Sequence, residues 1–117
     1  MRDQLDKLWP LLEPAAARVG TFGKEYVWRE IESGRSRLIA TEDTALVFTV
    51  KPTPDGQRCL YCWLAGGKLD GVISLVSQAE EWAREQGCTL SAMDCRRGFG
   101  RTLPGYREIS VTLMKEL

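Results

Sequence analysis

Arg58-Cys59-Leu60-Tyr61-Cys62-Trp63-Leu64, then Ala65-Gly66-Gly67-Lys68, then a long amphipathic segment ending at Gly87, is the stretch that decides the fold. The first run is apolar and of strand length, and the glycine pair breaks it. Leu69, Val72, Ile73, Val76, Ala79, Trp82 and Ala83 then form one continuous helical stripe, with Glu80, Glu81, Arg84 and Glu85 opposite. Thr89 to Met93 reads as a short strand. Strand, Gly-rich turn, helix, strand is a βαβ unit, which sets a helix N-terminus beside the carboxyl end of a strand, a common place for anions and cofactors.

Upstream of this unit, polar turn formers at Thr41-Glu42-Asp43-Thr44 separate two β-rich runs, Arg35 to Ala40 and Ala45 to Lys51, which is a hairpin pattern. Pro52-Thr53-Pro54-Asp55-Gly56 is a second turn into the Cys59 to Leu64 strand, so three antiparallel strands are expected in succession. Leu5, Leu8, Trp9 and Leu12 recur at helical spacing from Gln4 to Arg18, and Pro10 and Pro14 predict a kink or break there. Gly23 to Ser33 is a second helix, stopped by Gly34. Downstream, Gly98 to Leu103 suits one or two helical turns, and Tyr106 to Met114, with Ile109, Val111 and Leu113 alternating, reads as a closing strand.

With 117 residues the chain suits a single domain, 1–117, large enough to build a core without disulfides. Sixteen basic and sixteen acidic residues give zero net charge, so nothing draws the whole chain to nucleic acid or an anionic membrane. No apolar run is long enough to cross a bilayer, and Met1-Arg2-Asp3-Gln4 lacks the apolar core of a signal peptide, which points to the cytoplasm or an assembled particle. Cys59 and Cys62 have CxxC spacing, but on a strand they point to opposite faces. With no His in the chain, buried free thiols are expected and no metal site.

The absence of His also removes the commonest general base, and no Ser or Cys has a recognisable partner base. Glu25, Glu30 and Glu32 remain as carboxylates that could deprotonate an amine, although helix glutamates are usually solvated, and no catalytic residue is assigned. Gly66, Gly67 and Lys68, just before the secure helix, can either hold a phosphate on free backbone N–H groups or simply form a tight turn. Arg96, Arg97, Arg101 and Arg107 form a local basic cluster around Phe99. It suits a solvated loop, a protein contact or, through the arginines, an anion or nucleic acid. Trp9, Trp28, Trp63 and Trp82 fall at apolar positions and read as core.

The order α-α-β-β-β-α-β-α-β resembles the GNAT (N-acetyltransferase-like) fold. More closely, the chain resembles small GNAT-like proteins of tailed bacteriophages, on Leu8-Trp9-Pro10-Leu11-Leu12-Glu13-Pro14, Trp63-Leu64-Ala65-Gly66-Gly67, Arg96-Arg97-Gly98-Phe99, Leu103-Pro104-Gly105-Tyr106-Arg107 and Lys115-Glu116-Leu117. The resemblance implies an α/β (α+β) domain with a truncated GNAT-like fold. It would have a mixed sheet of about five strands flanked by helices, with the family's first strand missing. It departs from the family at two places. No Arg or Gln opens the Ala65-Gly66-Gly67-Lys68 loop, and Phe99-Gly100-Arg101-Thr102-Leu103 lacks the Tyr that protonates the leaving thiolate. The expectation is therefore a non-catalytic accessory protein with no cofactor, in the virion or in host cytoplasm during assembly. It would meet other phage structural proteins through Arg96, Arg97, Phe99, Arg101 and Arg107, with no membrane and with nucleic acid only through that cluster. The alternative is a small acetyl-CoA-dependent N-acetyltransferase that uses Gly66, Gly67 and Lys68 for the pyrophosphate.

Overall fold

The computed structural model describes residues 2–96 and 99–117. Two helices, α1 (Arg2–Val19) and α2 (Lys24–Glu32), precede three strands, β1 (Ser36–Ala40), β2 (Thr44–Pro52) and β3 (Arg58–Gly67). Helix α3 (Leu69–Glu85), strand β4 (Leu90–Met93) and a 3-10 turn at Phe99–Arg101 follow. The sheet order is β1-β2-β3-β4, with β1, β2 and β3 antiparallel and β4 parallel to β3.

Alternation along β2 divides the core. Ala45 and Val47 join Leu5, Leu8, Leu12, Ala15, Ala16 and Val27 on the α1–α2 side. Leu46 and Phe48 join Val72, Leu75, Val76, Ala79 and Ala83 of α3 on the other. Each fully buried Leu or Val contributes roughly 1.5–3 kcal/mol over the exposed state, so both layers are held by the stripes that the sequence displays.

Helix α1 runs unbroken through both prolines, so the expected break is absent. Pro10 and Pro14 lie four residues apart, on the same exposed track. Carbonyls that lose their helical partners there face water, which lowers the cost of each missing N–H. Arg2 with Glu25, and Lys24 with Asp6 at 2.9 Å, tie α2 to α1 at the surface. Gly34 follows α2 with φ +82, and its N–H closes the helix end on the Ile31 carbonyl at 3.1 Å.

Two further differences bear on function. Strand β3 does not stop at Leu64 but runs through both glycines, Gly66 pairing with Ala45 and Gly67 with Thr44. The expected four-residue turn is thus reduced to Lys68 alone. The expected closing strand is also absent from the sheet. Residues 106–117 lie outside regular secondary structure, and among the described residues the sheet has four strands. The 3-10 turn falls within the expected helical stretch, while Arg97 and Gly98 lie outside the described residues.

Candidate functional site

Strand β3 bends where its register against β2 slips. Phe48 faces Cys62 while Val47 faces Leu64, so Trp63 is an extra residue, a β-bulge. Trp63 and Leu64 consequently both pack on the α1–α2 side, and the Trp63 indole donates to Ser36 Oγ at 3.1 Å. Strand β4 leaves at the same level. Its parallel pairing with β3 covers only Cys59 to Cys62 against Leu90 to Met93, with one last bond from Asp94 N to the Cys62 carbonyl at 3.0 Å. Beyond it β3 continues for five residues, 63–67, paired on the β2 side only. The two strands form a fork that opens toward the N-terminus of α3.

Tyr61 and Asp94 meet at the base of this fork, where the Tyr61 hydroxyl donates to the Asp94 carboxylate. Lys51 Nζ sits over the Tyr61 ring, 3.7 Å from its centre. Burial first, then the neighbouring Asp94 charge, raises the Tyr61 phenol above its ordinary value, so Tyr61 stays a donor at neutral pH. Neither residue carries a motif in the sequence. Only the parallel register, which sets Tyr61 opposite Ala92, brings Asp94 to it.

The residues singled out from sequence fall as follows. A Cβ on Gly66 would lie 1.7 Å from the Leu11 carbonyl oxygen. One on Gly67, where φ is +112, would lie 2.2 Å from the Asp43 carbonyl oxygen, and one on Gly71 would lie 2.1 Å from Thr44 Oγ1. All three glycines admit a close neighbour from this same chain: α1 at the first, the β1–β2 turn at the others. Lys68 Nζ is 3.4 Å from Asp43 Oδ2. Asp43 also accepts from Thr41 and Thr44, each at 3.2 Å. The Thr44 bond foremost, then Lys68, holds its carboxyl below the usual carboxylate range.

Arg96, Arg101 and Arg107 are exposed, and Arg97 lies outside the described residues. Phe99 does not stand among them as a stacking platform, because it packs against the α3-side core. Leu103 beside it is buried. Tyr106 also turns inward, its hydroxyl donating to Glu80 Oε2 at 2.7 Å and meeting Ser91 Oγ. Glu25 is held by Arg2 and Glu30 by Arg35 at 2.8 Å, on a helix that packs on β1 and α1 and reaches Trp63 through Tyr26. The four cysteines are free, Cys59 and Cys62 buried as expected, and no metal-binding group occurs among the described residues. No helix is long and apolar enough to cross a membrane. A cavity of about 460 Å³ lies along the edge strand β1 between Leu38, Phe48 and Trp82. The Arg37 guanidinium stacks on its Trp82 wall.

No protein-family profile matches the sequence, and no curated protein matches it. Solved structures do match in shape. A probable acetyltransferase superposes with TM-score 0.70 at 14% identity, covering 98% of this chain and 91% of its own. A Trypanosoma brucei acetyltransferase gives 0.69 at 11%, covering 100% and 95%. A ribosomal-protein-alanine N-acetyltransferase from Brucella melitensis biovar Abortus 2308 gives 0.67 at 12%, covering 97% and 93%.

Residues 63–67 leave the β3 edge opposite β2 unpaired among the described residues. The Cβ positions of Gly66 and Gly67 are pressed on Leu11 and Asp43, and Lys68 pairs with Asp43 at the surface. Mixed topology, a bulged β3 forked from β4 and near-complete overlap with acetyltransferases together identify a truncated GNAT-like fold.

Proposed function

We propose that this chain is a small N-acetyltransferase-type protein that takes the arm of an acetyl-CoA-class donor into the fork between β3 and β4. The observation that carries the proposal is the parting of the two strands after Cys62 and Met93, beside the bulge at Trp63 and the start of α3. Tyr61, kept protonated and held by Asp94, is the residue at the fork able to hold or move a proton near the reacting end. The N–H groups of the first turn of α3, beside Gly66, Gly67 and the exposed Lys68, are what the protein offers the phosphates.

Melting temperature against acetyl-CoA concentration is the test, because a ligand that binds only the native state must raise it, stabilising the fold by about 2.7 kcal/mol at a hundredfold excess over Kd. A saturable rise supports the proposal, and a flat response at millimolar donor sinks it. Tyr61→Phe should keep that rise and slow thiol release with amine acceptors.

A second reading keeps the fold and drops the chemistry. It is favoured by the filled glycine positions and by the lack of a Tyr between Phe99 and Leu103. In it the chain is an accessory protein of a tailed phage, in the virion or in host cytoplasm during assembly. It meets other phage structural proteins through Arg96, Arg101 and Arg107. The acetyltransferase neighbours give this reading no support. Mass spectrometry of purified virions and assembly intermediates decides it, and absence from both removes it.

A further inference from the structure

Strand β1 lies at the edge of the sheet opposite β4, and the cavity of about 460 Å³ along it belongs to no part of the fork. That volume is ordinary for a small-molecule pocket. Its apolar walls are Leu38 and Ile39 of β1, Phe48 of β2, and Ala79 and Trp82 of α3. The Phe48 and Trp82 rings meet edge to face with centres 5.5 Å apart, which fixes one corner. An apolar body seated there gains close contacts and leaves water.

The polar side chains of the cavity are few. Ser36 Oγ is taken by the Trp63 indole at 3.1 Å. Arg37 and Gln78 remain, and both are exposed. Arg37 faces Phe48 across the hairpin, and its guanidinium lies 4.7 Å from the centre of the Trp82 ring. Among the described residues it has no carboxylate at ion-pair distance. Arg35, two residues earlier, is by contrast held by Glu30 at 2.8 Å. Arg37 is thus an uncompensated cation at the mouth of an apolar cavity. Stacked on an indole, its planar fork is ordered before any ligand arrives, and it matches a carboxylate. One guanidinium balances one negative charge, which favours a monocarboxylate over a diphosphate. Gln78 stands one turn along α3 from Trp82, where its amide offers a second donor.

We propose that the β1-edge cavity binds a monocarboxylate with an apolar body, of the medium-chain fatty acid class. The carboxylate meets Arg37, and the body lies against Leu38, Phe48 and Trp82. The site is separate from acyl transfer at the fork, so either reading can fail without the other.

Two-dimensional amide NMR of the full chain, titrated with octanoate, tests it, with octanamide as the uncharged counterpart. Saturable shifts are expected at residues 36–39, 48 and 78–82, and none at 63–67. Octanamide should bind roughly tenfold or more weakly than octanoate. Arg37→Gln should weaken octanoate by a similar factor, the loss expected for a hydrogen-bonded charge, and leave octanamide unchanged. Its circular dichroism should match the parent, because Arg37 is exposed. Absence of saturation at millimolar octanoate overturns the proposal. So do equal affinities for octanoate and octanamide, or octanoate binding that survives Arg37→Gln. Shifts at 36–39 that follow protein concentration without octanoate would put a second copy in the groove and equally overturn it.

Discussion

Gly66→Ala measures how closely α1 lies on the sheet, and it separates a packing glycine from a ligand-binding one. The added methyl would sit 1.7 Å from the Leu11 oxygen, 2.6 Å from its carbonyl carbon and 3.3 Å from Leu12 N, all of them backbone atoms. A flexible side chain could swing away, but a helix backbone cannot. Leu11 would have to retreat by roughly 1.5 Å to restore an ordinary carbon–oxygen contact. That retreat pulls Leu8 and Leu12 off Val47 and Leu64, so the overpacking cost is compounded by lost burial. A destabilisation of about 3 kcal/mol follows, which at this chain length lowers Tm by roughly 10–15 °C. Gly34→Ala is the control. Its φ is +82 but no atom lies within 4 Å of the new Cβ, so only the left-handed backbone is penalised, by about 1 kcal/mol. Thermal denaturation followed by circular dichroism compares the two. If Gly66→Ala melts no lower than Gly34→Ala, α1 does not press on Gly66, and the packing account of the glycine pair is wrong. If it keeps its melting temperature and loses response to acetyl-CoA, Gly66 belongs to a ligand site.

Thiol labelling should be ordered by burial. Cys95 is exposed, whereas burial pushes the Cys62 thiol up to about 12. At pH 8 Cys95 should react with a disulfide reagent first and Cys62 only on unfolding, and rapid labelling of Cys62 in the native protein would contradict the core assignment. Stability should fall in alkali. Buried Cys62 and half-buried Tyr61 and Tyr106 all ionise later in the folded chain than in the unfolded one, so the native state holds more protons. The stability this gives is full below the unfolded thiol value of roughly 8.5 and is lost as pH rises toward about 12. A urea midpoint constant from pH 8 to 11 would refute it.

Much of the fold was legible because periodicity carried it. The stripe from Leu69 to Ala83 became α3, and Arg35 to Lys51 became the hairpin with only its end residues moved. The prolines of α1 did not break the helix, and Pro10 and Pro14 share an exposed track that only the helix makes visible. Glycines 66 and 67 read equally as a tight turn or a phosphate turn because their packing use, admitting Leu11 and Asp43, depends on residues about 55 and 24 positions away. The fork was invisible for the same reason, since a bulge at Trp63 appears only once β2 is laid against β3. The tail failed differently. Its alternation is real, but a strand pattern says nothing about whether a sheet edge will receive it.

The claim that the β3–β4 fork receives an acyl donor is tested most directly by amide hydrogen exchange with and without saturating acetyl-CoA. The account predicts new protection confined to residues 63–67 and 94–96 and the first turn of α3, where β3 has a free edge. Unchanged exchange at the fork, or protection appearing elsewhere instead, would contradict it.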